Sequence, residues 1–233
     1  MINTLLKSID AVPLEVPRDR LPRTIAARTR RVYDIVAGLY PLSTYFFHSQ
    51  AHRCAVEVSG IRDGMRVLEV ATGSGEMFRR LVRANRGGKT LGLDISPNMA
   101  ARTLRHVRAK FPSSWSACQA VDARFLPFRN SSFDVAFCCY LFELLGGDDI
   151  MLALEEIHRV LRPGGSLAVV CIGQNAEFFN RLYRMAGSIA PAFWGRQVEE
   201  RLPDWIEASE FQIVRERHIR QNGYPSRVLL ARK

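Results

Sequence analysis

The stretch Val67-Leu68-Glu69-Val70-Ala71-Thr72-Gly73-Ser74-Gly75 runs directly into Glu76-Met77-Phe78-Arg79-Arg80-Leu81. A short apolar run closed by glycines reads as a buried strand, and the segment behind it has helical spacing. Gly73 and Gly75 let the turn's backbone come close to a bound molecule, and the helix that follows opens with free N–H groups. Strand, glycine turn and helix in this order point to a nucleotide-type cofactor.

Outward from that stretch the chain keeps alternating. Strand-like runs cover 66–71, 90–94, 115–120, 133–139 and 166–171, and helical patterns cover 76–85, 97–110 and 148–160. Such alternation implies βαβ crossovers and a Rossmann-like α/β fold, a doubly wound and mostly parallel sheet. Two further strand-like runs, 211–219 and 227–231, flank Gln221-Asn222-Gly223-Tyr224-Pro225 and predict an antiparallel C-terminal hairpin, for seven strands in all. Ahead of the sheet, helical spacing over 24–39 is expected to end at Tyr40-Pro41, and another helix is expected over 46–58 with Gly60 as its stop. Residues 1–60 therefore read as an N-terminal helical cap or lid, and residues 61–233 as the core domain.

At 233 residues with 47% apolar and 24% charged side chains, the chain can bury one sizeable core. Its five cysteines form no C-x-x-C pair and mostly sit in strand-like runs, as reduced thiols of a cytoplasmic protein would. No apolar run approaches the roughly 20 residues that span a bilayer, and Lys7, Asp10 and prolines interrupt any signal-peptide core. The net charge of +10 is spread along the chain, except between Arg18 and Arg31, where six arginines face only Asp19. This segment, behind a weak apolar stripe at Ile2, Leu5, Leu6 and Ile9, is either a solvated face or a peripheral contact with an anionic membrane surface.

In an open parallel sheet the ligand lies beyond the carboxyl ends of the strands, so polar residues at successive strand ends are the candidates. Here they are Gly73 to Gly75, then Asp94, then Asp122, then Cys139 and Tyr140. Asp94 can accept two ribose hydroxyls, and Asp122, flanked by apolar Ile95 and Ala123, can accept from an adenine amine. A dinucleotide fingerprint wants a third glycine where this chain has Phe78, which argues against a nicotinamide cofactor. Glu69 suits a cationic amino-acid group and is awkward beside a pyrophosphate.

From Arg66 to Leu167 the chain resembles the class I S-adenosylmethionine-dependent methyltransferases. The resemblance rests on E-V-A-T-G-S-G, D-I-S-P-N-M, V-D-A-R-F-L-P-F, N-S-S-F-D-V-A-F and R-V-L-R-P-G-G-S-L in that order. Within the class, Ala71 and D-A-R-F-L-P-F look most like the ubiquinone/menaquinone biosynthesis C-methyltransferases. The resemblance implies S-adenosyl-L-methionine as cofactor and S-adenosyl-L-homocysteine as product. It assigns Glu69 to the methionine end, Ala71, Thr72, Gly73, Ser74 and Gly75 to the turn, and Asp94 with Ile95 to the ribose. Asp122 and Ala123 then meet the adenine, and Cys139 and Tyr140 lie beside the methionine and its methyl group. No metal is expected.

For the acceptor side, His48 is a candidate general base, because the cap helix should fold over the mouth and an imidazole titrates near working pH; it could equally pack on the core. Tyr33 could close the lid. Glu143 either accepts a substrate proton or caps the helix that begins near Asp148. Enzymes that methylate nucleic-acid bases commonly place Asn/Asp-Pro-Pro-Tyr after the fourth strand, and Cys-Tyr-Leu-Phe-Glu stands here, which argues against a nucleic-acid substrate. Phe142, Leu144, Leu145, Phe178, Phe179 and Trp194 suggest an apolar pocket and an apolar or lipid-like small molecule. A nucleic-acid methyltransferase and a non-catalytic cofactor-binding scaffold are the alternatives.

Overall fold

The computed structural model describes residues 40–173 and 198–233, with side chains from Phe46 onward in its first helix. The elements are α1 (Tyr40–Ser59), β1 (Arg66–Val70), α2 (Glu76–Ala84), β2 (Lys89–Asp94), α3 (Pro97–Lys110), β3 (Trp115–Ala120) and β4 (Phe133–Cys139). There follow a short 3-10 turn (Phe142–Leu144), α4 (Gly147–Val160), β5 (Leu161–Ile172), α5 (Leu202–Ala208), β6 (Gln212–Gln221) and β7 (Tyr224–Arg232).

The strands form one seven-stranded sheet in the order β3-β2-β1-β4-β5-β7-β6. β1 to β5 are parallel, β7 runs antiparallel to β5, and β6 antiparallel to β7. Both faces are covered, so β1 and β2 are buried at every position after their first residue instead of alternating. Leu68, Val70, Leu91, Leu93 and Ala136 pack toward Leu154, Ile157 and Ile206 of α4 and α5. Val67, Val135, Phe137 and Ala168 pack on the other face toward Ala51 and Ala55 of α1 and Met77 and Leu81 of α2.

Local chemistry sets most boundaries. Ser96 caps α3 by accepting the Met99 N–H at 3.3 Å, with Pro97 in the first turn, where its missing N–H costs nothing. Asp148 and Asp149 open α4, and Arg159 stands in its last turn, each charge matched to its end of the helix dipole. Asn222 and Gly223 both have positive φ, 50° and 79°, as a two-residue type I′ hairpin turn demands. That turn is shorter than the five-residue connection expected from sequence, and β6 and β7 are correspondingly longer.

Other elements add to or depart from the pattern read in the sequence. Tyr40 and Pro41 stand in the first turn of α1, where proline is tolerated; the helix expected over 24–39, with its end, lies outside the described residues. β5 begins at Leu161, ahead of the Pro163-Gly164-Gly165 turn. α5, only seven residues long, is too short to show a period.

α1 is held by the hairpin turn. Gln221 accepts the Gln50 N–H at 2.7 Å through Oε1 and donates to the Phe46 carbonyl at 2.7 Å, and Asn222 donates to the same carbonyl at 2.7 Å. The two C-terminal strands thus fix α1 across one end of the sheet.

Candidate functional site

Strand order reverses between β1 and β4, and a crevice opens there beyond the strand ends. It is a cleft of about 1070 Å³ counted to its open mouth. The residues from Glu69 to Ser74, Asp94 and Ile95, Val121 to Arg124, and Cys139 to Leu141 form its floor, with Met77 and Met99 behind. His48 and His52 of α1 stand over it, and Leu144 and Leu145 close one wall. Eleven of the twelve residues expected to meet the cofactor therefore come together here; Gly75 stands one residue behind the lining, at the N-terminus of α2.

The turn after β1 is built from left-handed backbone: φ is 66° at Ala71, 49° at Gly73 and 78° at Gly75. A Cβ on Gly75 would lie 2.7 Å from Thr103 Oγ1, so helix α3 leaves no room there for a side chain. Ala71 is the strained member, because a Cβ disfavours that region. Ala71→Gly should raise stability by about 1 kcal/mol, the relieved strain exceeding the added unfolded-chain entropy; the thermal midpoint checks it.

Asp94 ties the turn to the next helix. Its Oδ2 accepts the Gly73 N–H at 2.7 Å and its Oδ1 the Ser96 N–H at 2.9 Å, while it remains 8% exposed at the cleft. A carboxylate offers about four lone-pair sites, so it can orient this backbone and still meet ribose hydroxyls. Asp122 is gripped by Arg124, whose Nε and Nη2 donate to its two oxygens at 3.0 and 2.7 Å, and Arg124 Nη1 reaches Asp149 at 2.8 Å. Arg124 is only 4% exposed and sets the direction of the Asp122 carboxylate at the far end of the cleft. Nothing local in the sequence marks this pairing with Asp149.

Glu69 is 1% exposed, and its Oε2 meets no hydrogen-bond partner among the described residues. Burial, then the neighbouring carboxylates of Glu76 and Asp94, push its carboxyl well above the usual range. A cationic group entering the cleft would reverse that cost. The orphaned carboxyl, the glycine turn and the two strand-end acids fit an amino-acid-bearing nucleoside, as S-adenosyl-L-methionine is.

The acceptor-side expectations fare differently. His48 does line the cleft, its ring stacked 4.2 Å from that of Tyr140 and 4.9 Å from that of Tyr224. Burial, then His52, push it down to about 3, so it stays neutral and does not titrate near working pH as the sequence suggested. Tyr140, held by a 2.7 Å hydrogen bond with Ser226 and by positive φ (54°), also stays neutral, since burial pushes its phenol up. Tyr33, Phe178, Phe179 and Trp194 lie outside the described residues, and Phe142 is buried core, not lining.

Glu143 neither lines the cleft nor caps α4, whose N-cap is Gly146. Its Oε1 accepts the Ile172 N–H at 2.6 Å, and burial pushes the carboxyl from 4.5 up to about 7. Between those two values the folded protein keeps a proton that the unfolded chain sheds, so stability is lost as pH rises through this window. Glu143→Gln, which keeps an acceptor for Ile172, should flatten that fall; denaturant midpoints taken across the window read it directly.

Beneath His48, His52 places its Nδ1 in hydrogen-bond contact with Glu76 Oε2, and Glu76 Oε1 accepts from Arg80 Nε at 2.5 Å. Sequence reasoning passed over both residues, 24 positions apart.

Residues 68–169 match the methyltransferase domain family. The match runs from within β1 to within β5 and takes in the glycine turn and the strand-end acids. Among curated proteins, the chain is 28% identical over 151 residues to a 2-phytyl-1,4-naphtoquinone methyltransferase of Nostoc sp., covering 61% of this chain and 64% of that one. It is 35% identical over 153 residues to the ubiquinone/menaquinone biosynthesis C-methyltransferase UbiE of Teredinibacter turnerae, covering 62% of this chain and 59% of that one. It is 30% identical over 190 residues to the uncharacterized protein Rv1405c of Mycobacterium tuberculosis, covering 76% and 65%. The chain thus spans 59% to 65% of the length of these relatives. Among solved structures, the 4+2 cyclase SpnF superposes with a TM-score of 0.72 at 18% identity, covering 89% of this chain and 96% of that one. A SAM-dependent methyltransferase from Methanosarcina mazei superposes with 0.65 at 20% identity, covering 76% and 96%.

Proposed function

We propose that the protein transfers the methyl group of S-adenosyl-L-methionine to a ring carbon of a reduced, quinone-type lipid, leaving S-adenosyl-L-homocysteine. The observation that carries this is the composition of this cleft. Its polar end offers an orphaned Glu69, Asp94 and the Arg124-held Asp122, and its wall at Leu141, Leu144 and Leu145 is apolar. The two quinone-methylating relatives support the acceptor class.

When bound, the sulfonium supplies an already electrophilic methyl group, so the protein's work is to hold, orient and keep dry. Glu69 would take the methionine ammonium, the Gly73–Gly75 turn the chain beside it, Asp94 the ribose, and Asp122 the adenine amine. His48 and Tyr140, both neutral and stacked, roof the reacting end and exclude water. Among the described residues no helix is long and apolar enough to cross a membrane; a lipid acceptor would be met at the surface, where the arginines of segment 18–31 would face anionic headgroups.

A fold shared with a cyclase does not decide the chemistry. Incubating the protein and cofactor labelled on its methyl with extracted lipids tests it, followed by mass spectrometry. Label in a quinone-type lipid is the expected result. Label confined to nucleic acid, or found nowhere, sinks the proposal.

A further inference from the structure

Two histidines one helical turn apart on α1 reach the cleft, and only one is equipped to move a proton. His48 lies flat against Tyr140 and is driven down to about 3, too weak to hold a proton taken from an acceptor. His52 is 4% exposed, and its Nδ1 is engaged by the Glu76 carboxylate. Burial alone would raise that carboxyl, but the His52 contact and Arg80 outweigh it and hold Glu76 below the usual range, as an anion.

A carboxylate on Nδ1 makes that nitrogen the one bearing the proton and leaves the lone pair on Nε2. Nε2 is buried and meets no hydrogen-bond partner among the described residues, although the ring lines the cleft and its centroid lies 5.9 Å from that of Tyr140 at the tip of β4. A base within the site, turned by a third group so that its lone pair is unengaged, is the arrangement that proton abstraction needs. The other titratable groups around it are Arg79 and Arg80 on α2, His48 on its own helix, Glu69 on β1, and Cys139 and Tyr140 at the end of β4. Tyr224 of β7 packs on His48.

We infer that His52 is the general base of the methyl transfer and that Glu76 is its positioning residue; this rests on the proposed acceptor class. As the ring carbon beside a hydroquinone hydroxyl bonds to the methyl carbon, the C–S electron pair passes to sulfur, and the hydroxyl proton passes to His52 Nε2. The ring regains aromaticity by moving the hydrogen of the methylated carbon to the oxygen. The imidazolium, stabilised by Glu76, then loses its proton to water. One proton leaves per methyl transferred, and no oxidant or reductant is required.

His52→Asn keeps an N–H for Glu76 and removes Nε2. With 2-prenyl-1,4-naphthohydroquinone as acceptor, its kcat should fall by about 10²- to 10⁴-fold, with KM little changed. Added imidazole should restore part of the rate. S-adenosyl-L-homocysteine affinity, read by calorimetry, should be unchanged. Nitrogen-15 NMR of the wild-type protein should show His52 protonated on Nδ1 alone. An Nε2–H tautomer overturns the inference, as does an unchanged kcat in the variant. A weakened S-adenosyl-L-homocysteine affinity with kcat intact also overturns it and makes His52 a cofactor ligand. If the wild type itself gives no product from this acceptor, the acceptor class fails and the base falls with it; an active wild type beside an equally active variant sinks the base alone.

Discussion

Asp94→Ala is expected to lower the affinity for S-adenosyl-L-methionine about 100-fold, since two hydrogen bonds to a charged group are lost at about 1.5 to 3 kcal/mol each, partly offset by water. The loss reaches beyond the ribose. Asp94 also receives the Gly73 and Ser96 N–H groups, so its removal frees the turn that would hold the methionine end. Asp94→Asn separates the two effects, because the amide oxygen can still serve one backbone donor while the charge is gone. An unchanged affinity in the alanine variant, measured calorimetrically, would mean that the ribose lies elsewhere.

The second large effect lies in the sheet. A Cβ on Gly92 would sit 2.5 Å from Thr72 Cγ2 and 3.0 Å from both Cys118 Sγ and Phe78 Cε2. Gly92→Ala should therefore cost about 3 kcal/mol, the upper range for overpacking a filled core, and the denaturant midpoint reads it. Because Thr72 lines the cleft, cofactor affinity should fall as well. A midpoint equal to the wild type would show that the neighbours give way. The position also explains why the turn lacks the third glycine of a dinucleotide fingerprint. Close packing of helix on sheet needs one small residue at the contact, and here β2 supplies it as Gly92 while α2 contributes the buried Phe78.

That exchange illustrates what could be read in advance. The strand, turn and helix around Gly73 were legible because burial on both faces forces an apolar run and the turn forces glycine. α3, β3 and β4 fall at 97–110, 115–120 and 133–139 as their patterns indicated, each bounded by a cap, a turn or a charged step. The strand-end acids were legible for a topological reason, since doubly wound sheets bind at that edge.

The missing parts depend on partners distant in the chain. His52 meets Glu76 across 24 positions, Arg124 meets Asp149 across 25, and Tyr140 meets Ser226 across 86. No periodicity encodes such pairings. His48 was visible as a histidine over the cleft, but its neutrality comes from the rings and burial around it, which only the packed structure supplies. Glu143 looked like a cap because it precedes α4, whereas the Ile172 N–H captured it from the neighbouring strand.

The most direct test of the account is a calorimetric titration of the wild-type protein with S-adenosyl-L-homocysteine, run beside one with NADH. The account predicts one saturable site per chain for S-adenosyl-L-homocysteine, lost or weakened in Asp94→Ala, and none for NADH. Saturation by NADH with no heat from S-adenosyl-L-homocysteine would contradict it.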